Sequence, residues 1–252
     1  MTKIPFSDPI WDHLSGAYGT GSSSDSLRAL CEHWDQEKAN ALFWDELYHQ
    51  GSLYPFTYAA LPYLWEAAPR NLDNLYFFST VVAAAYADGD TSSGKPPCAR
   101  KLNGLPLVGG ADTHSDCPQE SRLVGLGKSI LSNLQNWFVS HAEEMAMSAY
   151  TSIEPSHTRH EAAYLSEGYC TLKGCPKANW FLQMLADECS DGELEEALAE
   201  MEEPDLEMLL KLAADLDRTH PEFAGQIRTV AGPTLEQSGV IAIDPNTPDL
   251  FG

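Results

Sequence analysis

The stretch from Trp44 to Ala68, WDELYHQGSLYPFTYAALPYLWEAA, places its apolar residues where two packed helices need them and gathers its polar residues at one turn. It reads as the end of one helix, a turn at His49-Gln50-Gly51, and a second helix from Pro55. Gly51 suits the left-handed conformation that closes a helix. Pro55 suits a first helical turn, where no backbone N–H is needed. Phe56, Ala59, Ala60, Tyr63, Leu64 and Ala67 then recur with helical period. Pro62 inside this run removes one backbone hydrogen bond and kinks the helix, so packing against neighbours must support it. The stretch predicts a helical hairpin at the centre of an all-α protein.

The flanking sequence extends this pattern. Trp11, Leu14 and Tyr18 are spaced for one face of a short helix that Gly19 and Gly21 would end. Leu27, Leu30, Cys31 and Trp34 mark a second helix behind several serine N-caps, and Asp35 is placed to cap a third, with Ala39, Leu42, Phe43 and Leu47 as its stripe. Asn71 caps a helix running to about Ala87 that is apolar almost all round and therefore central. Residues 88–119 are dense in Gly, Pro, Ser and Asp and read as a long loop. Helix resumes from Glu120 to Tyr150, with a break allowed near Ser140, and again from Ser156 to Leu172 and from Ala178 to Cys189. From Pro221 onward the chain reads as an extended tail.

These segments amount to a single all-α domain over residues 1–252. Its sub-regions are N-terminal helical hairpins (1–87), a loop (88–119), C-terminal helices (120–220) and the tail (221–252). Successive helical pairs joined by short turns favour an α-solenoid, a HEAT-like helical-hairpin array, over a four-helix bundle. An irregular all-α globule is the competing fold.

At 43% hydrophobic and 21% charged, the composition is that of a folded globular protein. Its formal net charge of -22, from 37 acidic against 15 basic residues, repels nucleic acid and anionic membranes and attracts a basic partner. No segment has the roughly 20 apolar residues needed to span a bilayer, and the N-terminus lacks a signal-peptide pattern. A cytoplasmic protein is expected. The six cysteines form no tight framework, so reduced thiols are expected, and no second close pair completes a zinc site with Cys170 and Cys175.

The segments WDHLSGAYGTGSSSDSLRAL, ELYHQGSLYPFTYAALPYLWEAA and AAAYADGD together resemble bacterial HEAT-repeat-like proteins. In those, a similar AYG segment precedes an HQG-(T/S)-x-Y turn and an AA-x-P-x-L helix. The resemblance covers residues 11–90, about a third of the chain. It implies a helical-repeat fold and a role in protein contacts, and it implies no reaction, cofactor or catalytic residue.

Several constellations invite a chemical reading. Gly127-Lys128-Ser129 looks like the end of a phosphate-binding loop, but the first glycine of that motif falls on Arg122 and no strand precedes it. His157, His160 and Glu161 cluster in SHTRHEAAYL, in the wrong order for a zinc hydrolase. They would serve a metal-dependent enzyme, the alternative from another functional class, and a surface cluster at a helix start is the simpler reading. Cys31 beside His33, and Cys170 or Cys175 near upstream histidines, lack an orienting third group. The turn formed by Tyr48, His49, Gln50 and Tyr54, ringed by aromatics, is a candidate partner-binding site. It serves equally to satisfy the backbone groups left open where two helices end.

The strongest functional signal is acidic. Between Asp187 and Glu207 lie eleven acidic residues and no Lys or Arg: Asp187, Glu188, Asp191, Glu193, Glu195, Glu196, Glu200, Glu202, Glu203, Asp205 and Glu207. Leu194, Leu198, Met201, Leu206, Leu209 and Leu210 keep helical spacing through the same run, so one face packs while the other presents charge. Like charges at i,i+4 cost helix stability, which marks the run as more than a solvated face. The expected function is therefore a non-enzymatic module without cofactor or metal. Its acidic surface would bind a basic protein, in the manner of an immunity or antitoxin-type inhibitor of a basic bacterial toxin domain such as a nuclease. A general scaffold for protein assembly is the other alternative.

Overall fold

The computed structural model describes residues 3–20, 24–86 and 118–238. It is mostly helical with little strand. The contacts divide the chain into two compact units, Met1–Phe77 with Ala84–Glu143, and Phe78–Ala83 with Glu144–Gly252. The predicted 88–119 loop lies outside the described residues, apart from the start of the helix at Pro118.

The first unit opens with a 3-10 turn, Pro9–His13, whose N-cap Asp8 accepts a hydrogen bond from the Ile10 amide at 3.0 Å. A short antiparallel hairpin follows, β1 (Ser15–Gly16) with β2 (Gly19–Thr20). The predicted short helix is thus a 3-10 turn that ends at His13, short of Tyr18, and gives way to the hairpin. Trp11 and Leu14 are buried as their spacing suggested, but Tyr18 is 77% exposed because the chain reverses beside it. Helix α1 (Ser24–Glu32) buries Leu27 and Leu30. Helix α2 (Gln36–Ala41) starts at Asp35, whose carboxylate accepts from the amides of Glu37 and Lys38 at 3.1 and 3.2 Å, as the sequence indicated.

A π-helix, Leu42–Leu47, continues from α2, closed by the Tyr48 amide bonding back to the Phe43 carbonyl. Its buried face carries Leu42, Phe43 and Leu47. The predicted helix-to-helix turn is here a β-hairpin, β3 (Tyr48–His49) with β4 (Ser52–Leu53). Both residues of its two-residue loop, Gln50 (φ 47°) and Gly51 (φ 79°), take positive φ. That is the primed geometry that matches strand twist. Helix α3 (Pro55–Ala67) accommodates Pro62, with every residue from Pro55 to Pro62 buried. The Thr57 hydroxyl accepts from the Tyr54 amide at 3.0 Å and donates to the Leu47 carbonyl, tying the helix start to the π-helix end.

Helix α4 (Leu72–Tyr86) begins at Asn71, whose side chain accepts from the Asn74 amide at 3.0 Å. Phe77 stacks on Phe43 at 3.9 Å and an interplanar angle of 6°. Fully burying an aromatic of this size contributes about 1.5–3 kcal/mol, so this pair anchors α4 to the π-helix. Helix α5 (Pro118–Thr151) runs without the break considered near Ser140.

In the second unit, α6 (Arg159–Leu172) packs along α7 (Pro176–Ala186), α8 (Asp191–Ala199) lies against α7, and α9 (Glu203–Leu216) packs along α10 (Pro221–Ser238). Gly174, with φ 80°, provides the turn between α6 and α7. Helix α10 replaces the predicted extended tail up to Ser238. Its apolar side chains Phe223, Ile227, Ala231 and Leu235 are buried at every fourth position. Residues 239–252 lie outside the described part.

Candidate functional site

The acidic run spans the end of α7, all of α8 and the start of α9. Leu194, Ala197 and Leu198 face inward. Of the eleven acids, Asp187, Glu188, Asp191, Glu193, Glu195, Glu196, Glu200, Glu202, Glu203 and Glu207 are exposed. Asp205 is the exception and corrects the predicted surface. It is 7% exposed, on the same face of α9 as Leu209, Leu212 and Leu216. Burial pushes its carboxyl up, while the amides of Ala178 and Glu202 pull the other way.

Three of the exposed carboxylates have structural duties. Asp187 pairs with His160 Nε2 at 2.9 Å, and Glu188 with Arg159 at 2.7 Å. Glu193 closes a capping box by accepting from the Ser190 amide and hydroxyl at 2.9 and 2.7 Å, and these bonds hold its carboxyl below the usual range. By contrast, Asp191, Glu195, Glu196, Glu203 and Glu207 make no ion pair or side-chain hydrogen bond among the described residues. Their charge is directed to solvent, and α8 carries no basic side chain.

The turn residues fall in the first unit. Tyr48 and His49 are half-buried, Gln50 is exposed, and Tyr54 is half-buried at the N-cap of α3. His49 meets the Tyr18 ring at 5.6 Å, and Tyr48 meets Trp44 edge-on at 5.7 Å. Tyr48 and His49 serve as strand residues and Gln50 as a loop residue, so the polar cluster is built into a hairpin, not into a junction of helix ends.

The histidine cluster is parted among different contacts. Glu161 is turned back to Thr158, accepting from its amide at 2.6 Å and its hydroxyl at 3.0 Å, in a capping box that starts α6. The Thr158 amide is the main cause of Glu161 being held low. His157 Nδ1 accepts from the Glu154 amide at 3.1 Å, and His160 faces Asp187. Among the described residues no three His, Cys, Asp or Glu side chains converge as metal ligands would.

Gly127, Lys128 and Ser129 lie well inside α5 and so cannot form the loop before a helix that a phosphate cradle needs. Three of the thiols, Cys31, Cys170 and Cys175, are biased by burial toward the protonated form, the poorer nucleophile. Burial pushes Cys31 and Cys175 each up to about 11 and raises Cys170 further.

One cluster escaped the sequence reading. Tyr150 donates to Asp215 at 2.6 Å, Lys211 bonds the same carboxylate, and Tyr150 stacks on Tyr169 at 4.5 Å beneath the Lys211 ammonium. Burial alone would raise Asp215, but the bonds from Lys211 and Tyr150 outweigh it and hold the carboxyl low. The i,i+4 spacing of Lys211 and Asp215 was the available signal. Tyr150, 65 positions away from Asp215, had none. This cluster pairs its charges internally and secures α5 to α9.

No helix among the described residues is long and apolar enough to cross a membrane. No family model matches the chain, and neither a curated protein nor a solved structure matches it.

Proposed function

We propose that this chain is a non-enzymatic protein-binding module, a HEAT-like helical array whose acidic face on α8 and the start of α9 neutralises a basic protein partner. In its most specific form it is an immunity or antitoxin-type protein that blocks a cationic bacterial toxin domain, such as a nuclease, by covering the surface that binds substrate. Cytoplasmic residence and an absence of nucleic-acid contact belong to this reading. The consecutive pairs α6 with α7 and α9 with α10 support the array. The observation that carries the function is the set of exposed carboxylates on α8 and α9 with no internal partner. Self-repulsion on that face costs stability that a cationic partner would return, and its field would speed encounter.

The test is titration calorimetry against the product of the neighbouring gene, at low and high salt. Tight one-to-one binding that weakens with salt supports the reading. Equal binding to unrelated basic proteins, or no binding to the neighbour, counts against it.

A further inference from the structure

The first unit holds a cleft of about 570 Å³ bounded by α1, α2 and the π-helix. That volume lies in the range of sites that take a ligand or a cluster of partner side chains. Its two walls have the same construction. Ser26, Ala29 and Leu30 of α1 line it with His33 just past that helix, and Lys38 and Ala41 of α2 with Leu42 and Asp45 of the π-helix line the opposite side, each set at spacing i, i+3, i+4, i+7. In α1 that spacing is one face of an α-helix. Leu30 and Leu42, 3% and 6% exposed, form the floor. Ala29 and Ala41 are exposed, and their single methyl groups leave the space between the walls open.

The charge on the rim is one-sided. Lys38 is paired with Asp35 at 3.3 Å. Glu46, which also lines the cleft, has its backbone fixed by the Ala17 amide bonding to its carbonyl at 3.1 Å. The carboxylates of Asp45 and Glu46 make no ion pair or hydrogen bond among the described residues. Both belong to the π-helix, whose wider turn interrupts the α-helical ladder, a device found often at functional sites.

We infer that this cleft is a docking site for an arginine-bearing segment of a protein partner. The aliphatic stem and a flanking apolar residue lie on Ala29, Leu30, Ala41 and Leu42, and the guanidinium meets Asp45 and Glu46. Charge complementarity selects this occupant: the free charges at the rim are two carboxylates, and long cationic side chains combine an apolar stem with a charged head. The site is separate from the acidic face on α8 and α9 and stands without it.

The test uses the full chain and the probe acetyl-Leu-Arg-Leu-amide, followed by two-dimensional amide NMR, with acetyl-Leu-citrulline-Leu-amide as the neutral isostere. Saturable shifts are expected at Ala29, Leu30, Ala41, Leu42 and Asp45, with affinity lowered by about tenfold or more for the citrulline peptide and for the Asp45→Asn, Glu46→Gln double variant. Ala41→Leu fills the gap from an exposed position and should abolish binding. Glu195→Gln with Glu196→Gln on α8 should leave it unchanged. Shifts centred on α8 and α9, equal binding of the citrulline peptide, or unaltered affinity in Ala41→Leu would overturn the assignment. Because the α8 variant bears only on the acidic face, the two sites fail or succeed independently.

Discussion

Gly168 on α6 lies so close to Ser79 on α4 that a Cβ added to the glycine would fall 2.7 Å from the Ser79 carbonyl oxygen. The Ser79 hydroxyl accepts from the Gly168 amide at 2.9 Å and donates to the Tyr164 carbonyl at 3.0 Å, so the crossing is fixed by backbone contact as well as by packing. The obstacle is backbone and cannot rotate away. Gly168→Ala should therefore destabilise the protein by about 1–3 kcal/mol, as overpacked cores do. Gly225 in α10 has nothing within 4 Å of an added Cβ. Gly225→Ala should raise stability by about 0.5–1 kcal/mol through helix propensity alone. Urea unfolding of the two variants should move in opposite directions.

Glu167, next to that crossing, offers a pH prediction. Burial pushes its carboxyl from 4.5 up to about 7, partly opposed by a long hydrogen bond from Thr80 at 3.5 Å. The folded state thus holds a proton that the unfolded chain releases near its ordinary value. The resulting stability is fully present below pH 4.5 and is lost as pH rises through about 7. Glu167→Gln keeps the shape without the charge. It should unfold at higher denaturant than the parent at pH 8, by roughly 3 kcal/mol, and match it near pH 4. Parallel pH profiles for the two proteins would contradict this.

The hairpin loop at Gln50 and Gly51 predicts a gain. Gln50 holds φ 47° without being glycine or asparagine, the residues that take the left-handed region most readily. Gln50→Asn should stabilise by about 0.5 kcal/mol, and Gln50→Gly should not destabilise. Gly51→Ala, at φ 79°, should cost about 1 kcal/mol. Thermal unfolding of the three variants would rank them Asn above Gly above the alanine change.

These positions also show what the sequence makes legible. The left-handed need at Gly51 was readable, because glycine before a polar residue marks a turn. That Gln50 shares it, converting a helix cap into a β-hairpin, depends on the π-helix before it, for which no residue pattern exists. The caps at Asp35 and Asn71 were readable because their side chains act locally, on amides two and three residues ahead. Helix α10, expected as an extended tail, carries Gly225, Gly232 and Pro233, which are poor helix formers, beside a buried stripe of Phe223, Ile227, Ala231 and Leu235. Packing against α9 decides the matter in favour of the stripe. Trp11 and Leu14, three apart, belong to the 3-10 turn and its cap, whereas Tyr18 lies beyond the helical backbone. Those two are core residues, and Tyr18 sits at a hairpin tip. At the acidic run, exposure followed from periodicity for ten residues and failed for Asp205, which its spacing to Leu209, Leu212 and Leu216 already placed among the apolar positions.

The acidic face makes a prediction that separates stability from function. Asp191 with Glu195, Glu196 with Glu200, and Glu203 with Glu207 are like charges four residues apart, the first and last pairs lying wholly within α8 and α9. Each such pair costs a few tenths of a kcal/mol, and an opposite pair gains as much. Changing Glu195, Glu200 and Glu207 together to lysine should therefore stabilise the isolated protein by roughly 1–2 kcal/mol at low salt, with the gain fading as salt screens it. All three side chains are exposed, so the core is untouched. If the face is a docking surface, the same variant should lose its basic partner through slower association and weaker affinity. A rise in melting temperature with partner binding intact would reduce the face to a solvated surface and remove the observation on which the proposed function rests.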